Sequence, residues 1–196
     1  MTENRKKTKT TTNNAGGITS SIYRLLSGSL FSYRREKMDR NEIRVAVISD
    51  THGMLRRSVV REVQDCACIL HAGDIIRESD LDELALYGSI YAVRGNNDIW
   101  QRGLKDLAGF LRFQIGGVSF FMTHDPWDVP HNLDGVDAVI CGHTHRWSEE
   151  WIDGRLWLNP GSCGWARFGS AVTMAKLTIR GGKIARVERI DLEDED

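Results

Sequence analysis

The chain has 196 residues, 41% hydrophobic and 27% charged, with 26 Lys/Arg against 27 Asp/Glu. That length suits one α/β domain able to bury its own core, and the apolar fraction excludes wholesale disorder. No run approaches the roughly 18 uncharged apolar residues of a membrane span, so no membrane partner is expected.

The net charge of −1 averages two unlike segments. Residues 1–40 hold nine Lys/Arg and three Asp/Glu, whereas residues 41–196 hold 17 against 24. The acidic larger segment argues against extended nucleic acid as a partner, because phosphate backbones demand clustered Lys/Arg. Cys66, Cys68, Cys141 and Cys163 show neither C-x-x-C spacing nor disulfide-framework density. Reduced thiols and a cytoplasmic location are expected. Cys66 and Cys68 lie in an apolar run and read as small buried side chains.

Residues 1–40 read as a basic, disordered N-terminal extension, and 41–196 as the folded domain. The stretch 1–17 is polar and of low complexity, unable to offset its ordering entropy by burial. Residues 18–37 add Ile18, Ile22, Leu25, Leu26, Leu30 and Phe31, a pattern open to a short amphipathic helix. A start at Met38, or an organelle transit segment, are the competing readings of this stretch.

From Ile43 the pattern changes. Ile43–Ile48 is a β-branched run read as a buried strand. Met54–Gln64 reads as helix, Cys66–His71 as strand, and Ser79–Leu86 as a helix capped by Ser79. Ser89–Val93 is a third strand, so the first half reads βαβαβ with a parallel sheet. The second half reads as hairpins: Phe110–Ile115 with Val118–Met122, Glu149–Ile152 with Arg155–Leu158, and Ala171–Ile179 with Lys183–Asp191. Asp153-Gly154 favours a tight primed turn, and Asp137–Cys141 is a lone strand. Asp191–Asp196 carries five acids in six residues and reads as a solvated end. Two packed sheets with helices outside is the natural architecture.

Five of these strands run into residues able to bind metal: Asp50-Thr51-His52, Gly73-Asp74, Gly95-Asn96-Asn97-Asp98, Thr123-His124 and Gly142-His143-Thr144-His145. Ligands of open α/β sheets bind outside the carboxyl ends of the strands, so these turns should share one rim. Asp50 and His52, like His143 and His145, are two apart and can grip one cation. Three oxygen ligands (Asp50, Asp74, Asn96) and four imidazoles exceed one tetrahedral site. They suit two octahedral ions sharing a carboxylate, and a sulfur-free set favours Mn²⁺ or Fe²⁺ over structural Zn²⁺. Two such ions about 3.5–4 Å apart would activate water for in-line attack on phosphorus.

In this order, D-x-H, G-D, G-N-x-D, a strand-end His and G-H-T-H resemble the calcineurin-like metallophosphoesterases. The V-R-G-N-N-D and L-N-P-G-S segments are similar to the compact YfcE-type phosphodiesterases. The resemblance runs from Ile43 to the final hairpin. It implies a four-layer αββα sandwich, two mixed sheets flanked by helices, and hydrolysis of small phosphodiesters by a metal-bridging hydroxide. It implies one ion on Asp50, His52 and His145, another on Asn96, His124 and His143, and Asp74 between them. Mn²⁺ is the favoured ion, with Fe, Ni or Zn as alternatives.

Two departures from the family pattern matter. Larger members carry a leaving-group His after the motif Asn, where this chain has Asn97, and an amide donates only a hydrogen bond. Asp125-Pro126 stands where relatives commonly have Gly, and is read as shaping the turn. Asp98 is expected to orient ligands rather than react, and Arg94 and Arg167 to clamp phosphate. His71 reads as a packed core His. Trp127, Trp147 and Trp165 lie near motif loops and are open to stacking on a substrate, whereas Trp100, Trp151 and Trp157 read as packing residues. The rival readings are a phosphomonoesterase and a non-catalytic, metal-binding interaction scaffold, since the compact branch also resembles a retromer subunit.

Overall fold

The computed structural model describes residues 8–14, 18–24, 42–167 and 169–192. Strands β1 (Thr8–Asn14) and β2 (Ile18–Arg24) precede β3 (Glu42–Ile48), helix α1 (Arg57–Val63) and β4 (Cys68–His71). Helix α2 (Glu78–Leu84), β5 (Ser89–Ala92), β6 (Phe110–Ile115) and β7 (Val118–Thr123) follow. The chain continues through β8 (Ala138–Ile140), β9 (Trp147–Ile152), β10 (Arg155–Pro160), β11 (Thr173–Arg180) and β12 (Lys183–Asp191).

These strands form two mixed sheets, ordered β1-β2-β5-β4-β3-β11-β12 and β6-β7-β8-β10-β9. Strands β3, β4 and β5 are parallel, as are β7, β8 and β10. The βαβαβ reading of the first half therefore describes the centre of the larger sheet.

Strand alternation sorts side chains between layers. Ala46, Ile48, Ile69, Ile90 and Met174 face helices α1 and α2, packing on Val59, Val63, Leu81 and Leu84. Their neighbours Val45, Val47, Leu70, Ala175 and Leu177 face the second sheet, meeting Phe120, Met122, Ala138, Ile140 and Leu156. On the far side of that sheet, Phe121, Val139 and Cys141 are covered by Leu133, Val136 and the partly buried Val129. The α/β class and the two mixed sheets agree with expectation. The fourth layer, among the described residues, is this loop segment with its 3-10 turn Pro126–Asp128 rather than an α-helix.

Several boundaries differ from the sequence reading. Ile18–Arg24 is a strand rather than a helix, and with Thr8–Asn14 it forms a hairpin where a structureless tail was expected. The β-branched Thr and Ile residues of the two segments favour extended backbone, and β2 finds an edge to pair with, Ile22 opposite Tyr91. Residues 25–41 lie outside the described residues. Ser79 does not cap α2: Arg77 holds the cap position without a side-chain bond, and Ser79 lies inside the helix. Asp191 ends β12 and Leu192 is buried, so the acidic end is not wholly solvated, while 193–196 lie outside the described residues. No helix among the described residues is long and apolar enough to cross a membrane.

Candidate metal centre

Parallel strands send their carboxyl ends to one edge, and there the chain leaves ordinary backbone geometry. Asp50, His52, Asp74, His143 and His145 all adopt left-handed φ, between 46° and 67°. Non-glycine residues avoid this region, and strain of this kind concentrates at functional sites. The turns are laced together: Asp50 N donates to Gly73 O at 3.0 Å and His52 N to Asp74 O at 2.9 Å. Close approach also requires glycine. A Cβ on Gly95 would meet Asp74, and one on Gly142 would run into Ser49 Oγ and lie 3.0 Å from Asp50 Oδ2.

Asp50 is wholly buried. Its Oδ2 accepts from Ser49 Oγ at 2.6 Å and from His143 N at 3.1 Å. Its Oδ1 has no hydrogen-bond partner, although His145 Nε2 lies 3.1 Å away and His52 Nε2 3.7 Å away. The two imidazoles face each other, Nε2 to Nε2, at 3.2 Å. An orphaned buried carboxylate oxygen and two converging ring nitrogens are a donor set that a divalent cation satisfies.

Beside it, Asp74 Oδ2 lies 3.7 Å from His52 Nε2 and 3.5 Å from His124 Nε2. Asn97 donates to the same carboxylate twice, from its backbone at 2.9 Å and from Nδ2 at 2.6 Å. Burial works against the Asp74 charge, but the His124 and Asn97 bonds hold the carboxyl well below its usual range. His124 Nδ1–H donates to the Ala72 carbonyl at 2.7 Å, which turns Nε2 toward the cluster. Burial lowers the proton affinity of His124, but the Asp74 and Asp50 carboxylates and the Ala72 carbonyl together more than reverse this. Asn96 Oδ1 lies 3.1 Å from both His124 Nε2 and His143 Nδ1. Among the described residues, Asp50, His52 and His145, and again Asp50, Asp74 and His124, each bring ligand atoms within 4.8 Å of one another. Burial also lowers His52, against the pull of Asp74 and Asp50.

The chain has counterparts among known proteins. The calcineurin-like phosphoesterase superfamily domain matches residues 43–182. The chain belongs to that superfamily. A phosphodiesterase of Methanocaldococcus jannaschii is 27% identical over 140 residues, 62% of this chain and 84% of that protein. The structure of an archaeal phosphodiesterase superposes with a TM-score of 0.62 at 26% identity, covering 76% of this chain and all of that one. Vacuolar protein sorting 29 of Cryptosporidium parvum shares the fold, with a TM-score of 0.61 at 18% identity over 77% and 99% of the two chains.

Within this phosphoesterase frame the remaining expected residues divide. Asp98 reaches no ligand atom. Its Oδ1 accepts from Ile75 N and Ile76 N at 2.8 Å, and its Oδ2 from Gly95 N at 2.7 Å, tying two rim turns together. Asp98→Asn is expected to cost about 2 kcal/mol in urea unfolding, because one buried N–H would then face an N–H donor. Arg167 is exposed, and its charge acts on His52. Arg94 is not brought to the cluster: it is exposed and donates to Lys105 O at 3.1 Å. Asp125 does shape the turn, accepting from Trp127 N at 2.9 Å as the cap of the 3-10 turn.

His71 is packed as expected. Its Nδ1 accepts from Gly73 N, its Nε2 faces Thr51 Oγ1 at 3.2 Å, and burial brings its pKa down to about 4. The tryptophan reading needs correction. Trp100 is 83% and Trp151 51% exposed, whereas Trp147 is partly buried against the core. Sequence reasoning also missed Ser49 and Asn159, whose Nδ2 donates to Gly142 O at 2.6 Å and Thr144 Oγ1 at 3.0 Å. The only signal for Asn159 was the strand-end Asn159-Pro160-Gly161-Ser162 run.

Proposed function

We propose that the protein is a dinuclear metal-dependent phosphodiesterase acting on small phosphodiesters. The observation that carries this reading is the orphaned, buried Oδ1 of Asp50, set among the His52 and His145 nitrogens. One ion would rest on Asp50, His52 and His145, the other on Asn96, His124 and His143, with Asp74 shared. Bound ions supply Lewis-acid charge and an activated water, and an oxygen-rich, imidazole-supplemented set favours Mn²⁺, with Fe, Ni or Zn as alternatives.

The chain's own residues do the rest. Ser49 and the His143 backbone fix the Asp50 carboxylate, and the Ala72 carbonyl orients His124. Asn97 holds Asp74 and so carries no acid proton for a leaving group. That suits diesters with good leaving groups better than poorly activated monoesters. Arg167, whose charge acts on His52, would clamp substrate phosphate. Four free cysteines support a reducing, cytoplasmic setting.

Mn²⁺-loaded protein should release nitrophenol from bis-p-nitrophenyl phosphate, stop on chelation and recover when Mn²⁺ is restored. Equal rates in loaded and chelated protein would overturn the assignment. Asn97 also favours a second reading, a metal-binding interaction scaffold. Two tightly bound ions by elemental analysis, with no turnover of any phosphoester, would select it.

A further inference from the structure

Three of the six tryptophans stand in solvent on the turns that follow strands β5, β7 and β10. Trp127 is 91% exposed, Trp100 83% and Trp165 47%. A set of large apolar groups held in water at one rim is informative in a way that scattered exposed residues are not.

Each backbone is pinned to the site through one side chain. Asp125 Oδ1 accepts from Trp127 N at 2.9 Å, while its Oδ2 lies 3.9 Å from His143 Nε2. Trp165 N donates to Ser162 Oγ at 3.3 Å, and that hydroxyl donates to Asp50 O at 3.0 Å. Trp100 closes the 3-10 turn that Asp98 opens, and the Asp98 carboxylate holds Gly95, Ile75 and Ile76. Trp100 and Trp127 thus follow Asn96 and His124 on their own strand-end turns, and Trp165 stands on the turn after β10, joined to Asp50 through Ser162. By contrast, Trp151, 51% exposed, stands within strand β9 rather than on a strand-end turn, and Trp147 and Trp157 are only partly exposed and pack on the core.

We propose that Trp100, Trp127 and Trp165 form an aromatic rim that stacks on the nucleobase of a small nucleoside phosphodiester whose phosphate sits at the Asp50–Asp74 cluster. The inference rests on the phosphodiesterase reading above. Indole faces stack on any base, and such stacking is sequence-tolerant. An aliphatic diester would leave all three rings in water, and the acidic domain disfavours a longer polynucleotide.

The p-nitrophenyl ester of thymidine monophosphate and methyl p-nitrophenyl phosphate share leaving group and diester charge, and differ in the nucleoside. With the full Mn²⁺-loaded chain, kcat/KM is expected to favour the nucleoside ester by roughly ten-fold or more, mainly through KM. Trp127→Ala and Trp165→Ala should each reduce that ratio several-fold, and Trp127→Phe should restore most of it. A ratio near one, or a ratio that neither alanine variant moves, overturns the rim. Methyl ester turnover reports the cluster alone, so that result would leave the phosphodiesterase standing. Turnover of neither ester overturns both.

Discussion

Replacing Asp74 with alanine is expected to lower Mn²⁺-dependent phosphodiester turnover by a few hundred-fold, at least about a hundred-fold, while leaving the fold in place. The carboxylate faces His52 at 3.7 Å and His124 at 3.5 Å, so it lies between the two proposed ligand sets. Removing one preorganised charge-stabilising group in such a site raises a barrier by about 3–4 kcal/mol, which is roughly two hundred- to nine hundred-fold in rate. The fold should survive because the side chain sits in a polar rim rather than between the sheets. The backbone bond from His52 N to Asp74 O is also untouched by the change. The left-handed φ of 56° at this position disfavours alanine modestly. Asp74→Asn, which keeps that conformation at little cost, is the control. Both variants should match the unaltered protein in far-ultraviolet circular dichroism. Retention of more than a tenth of the turnover in either would remove Asp74 from the centre.

How such a residue is legible without coordinates follows from chain geometry. A parallel strand must deliver its carboxyl end to the ligand edge, so each of the turns at Asp50, Asp74, Asn96, His124 and His143 was locally readable. Their convergence followed from counting strands. Alternation within each strand likewise separated Ala46 from Val47, and so the two faces of the larger sheet. What was not legible depends on partners distant in sequence. Asn159 reaches Gly142 and Ser162 reaches Asp50 across strands, contacts that no local period encodes. Arg94 follows strand β5 directly, but the loop carrying Lys105 takes up its guanidinium. Tryptophan exposure was misjudged for the same reason. A lone Trp100 or Trp151 carries no pattern that says whether a neighbour covers it.

Asp50→Asn should stabilise the chelated protein by about 5 °C in Tm, abolish turnover and cut the rise in Tm that Mn²⁺ produces by about half or more. The orphaned Oδ1 is a buried acceptor that has no donor. An unsatisfied buried polar group costs about 1–3 kcal/mol, more when charged. An asparagine amide placed there would donate toward His145 Nε2, 3.1 Å away. Its carbonyl oxygen would keep the bonds from Ser49 Oγ and His143 N. Asparagine also tolerates the φ of 56° at this position at least as well as aspartate. For a domain of this size each kcal/mol moves Tm by roughly 2–4 °C. In the unaltered protein, Mn²⁺ should raise Tm by linkage, since the folded state alone assembles the ligands. The variant lacks the charge at the Asp50–His52–His145 set, so its melting temperature should keep only the response of the Asn96–His124–His143 set. A site built for packing alone would behave in the opposite way, with Asp50→Asn neutral or destabilising and Mn²⁺ without effect on either protein. The two melting curves, with and without Mn²⁺, therefore separate a strained metal centre from a merely polar turn even if no substrate has been found.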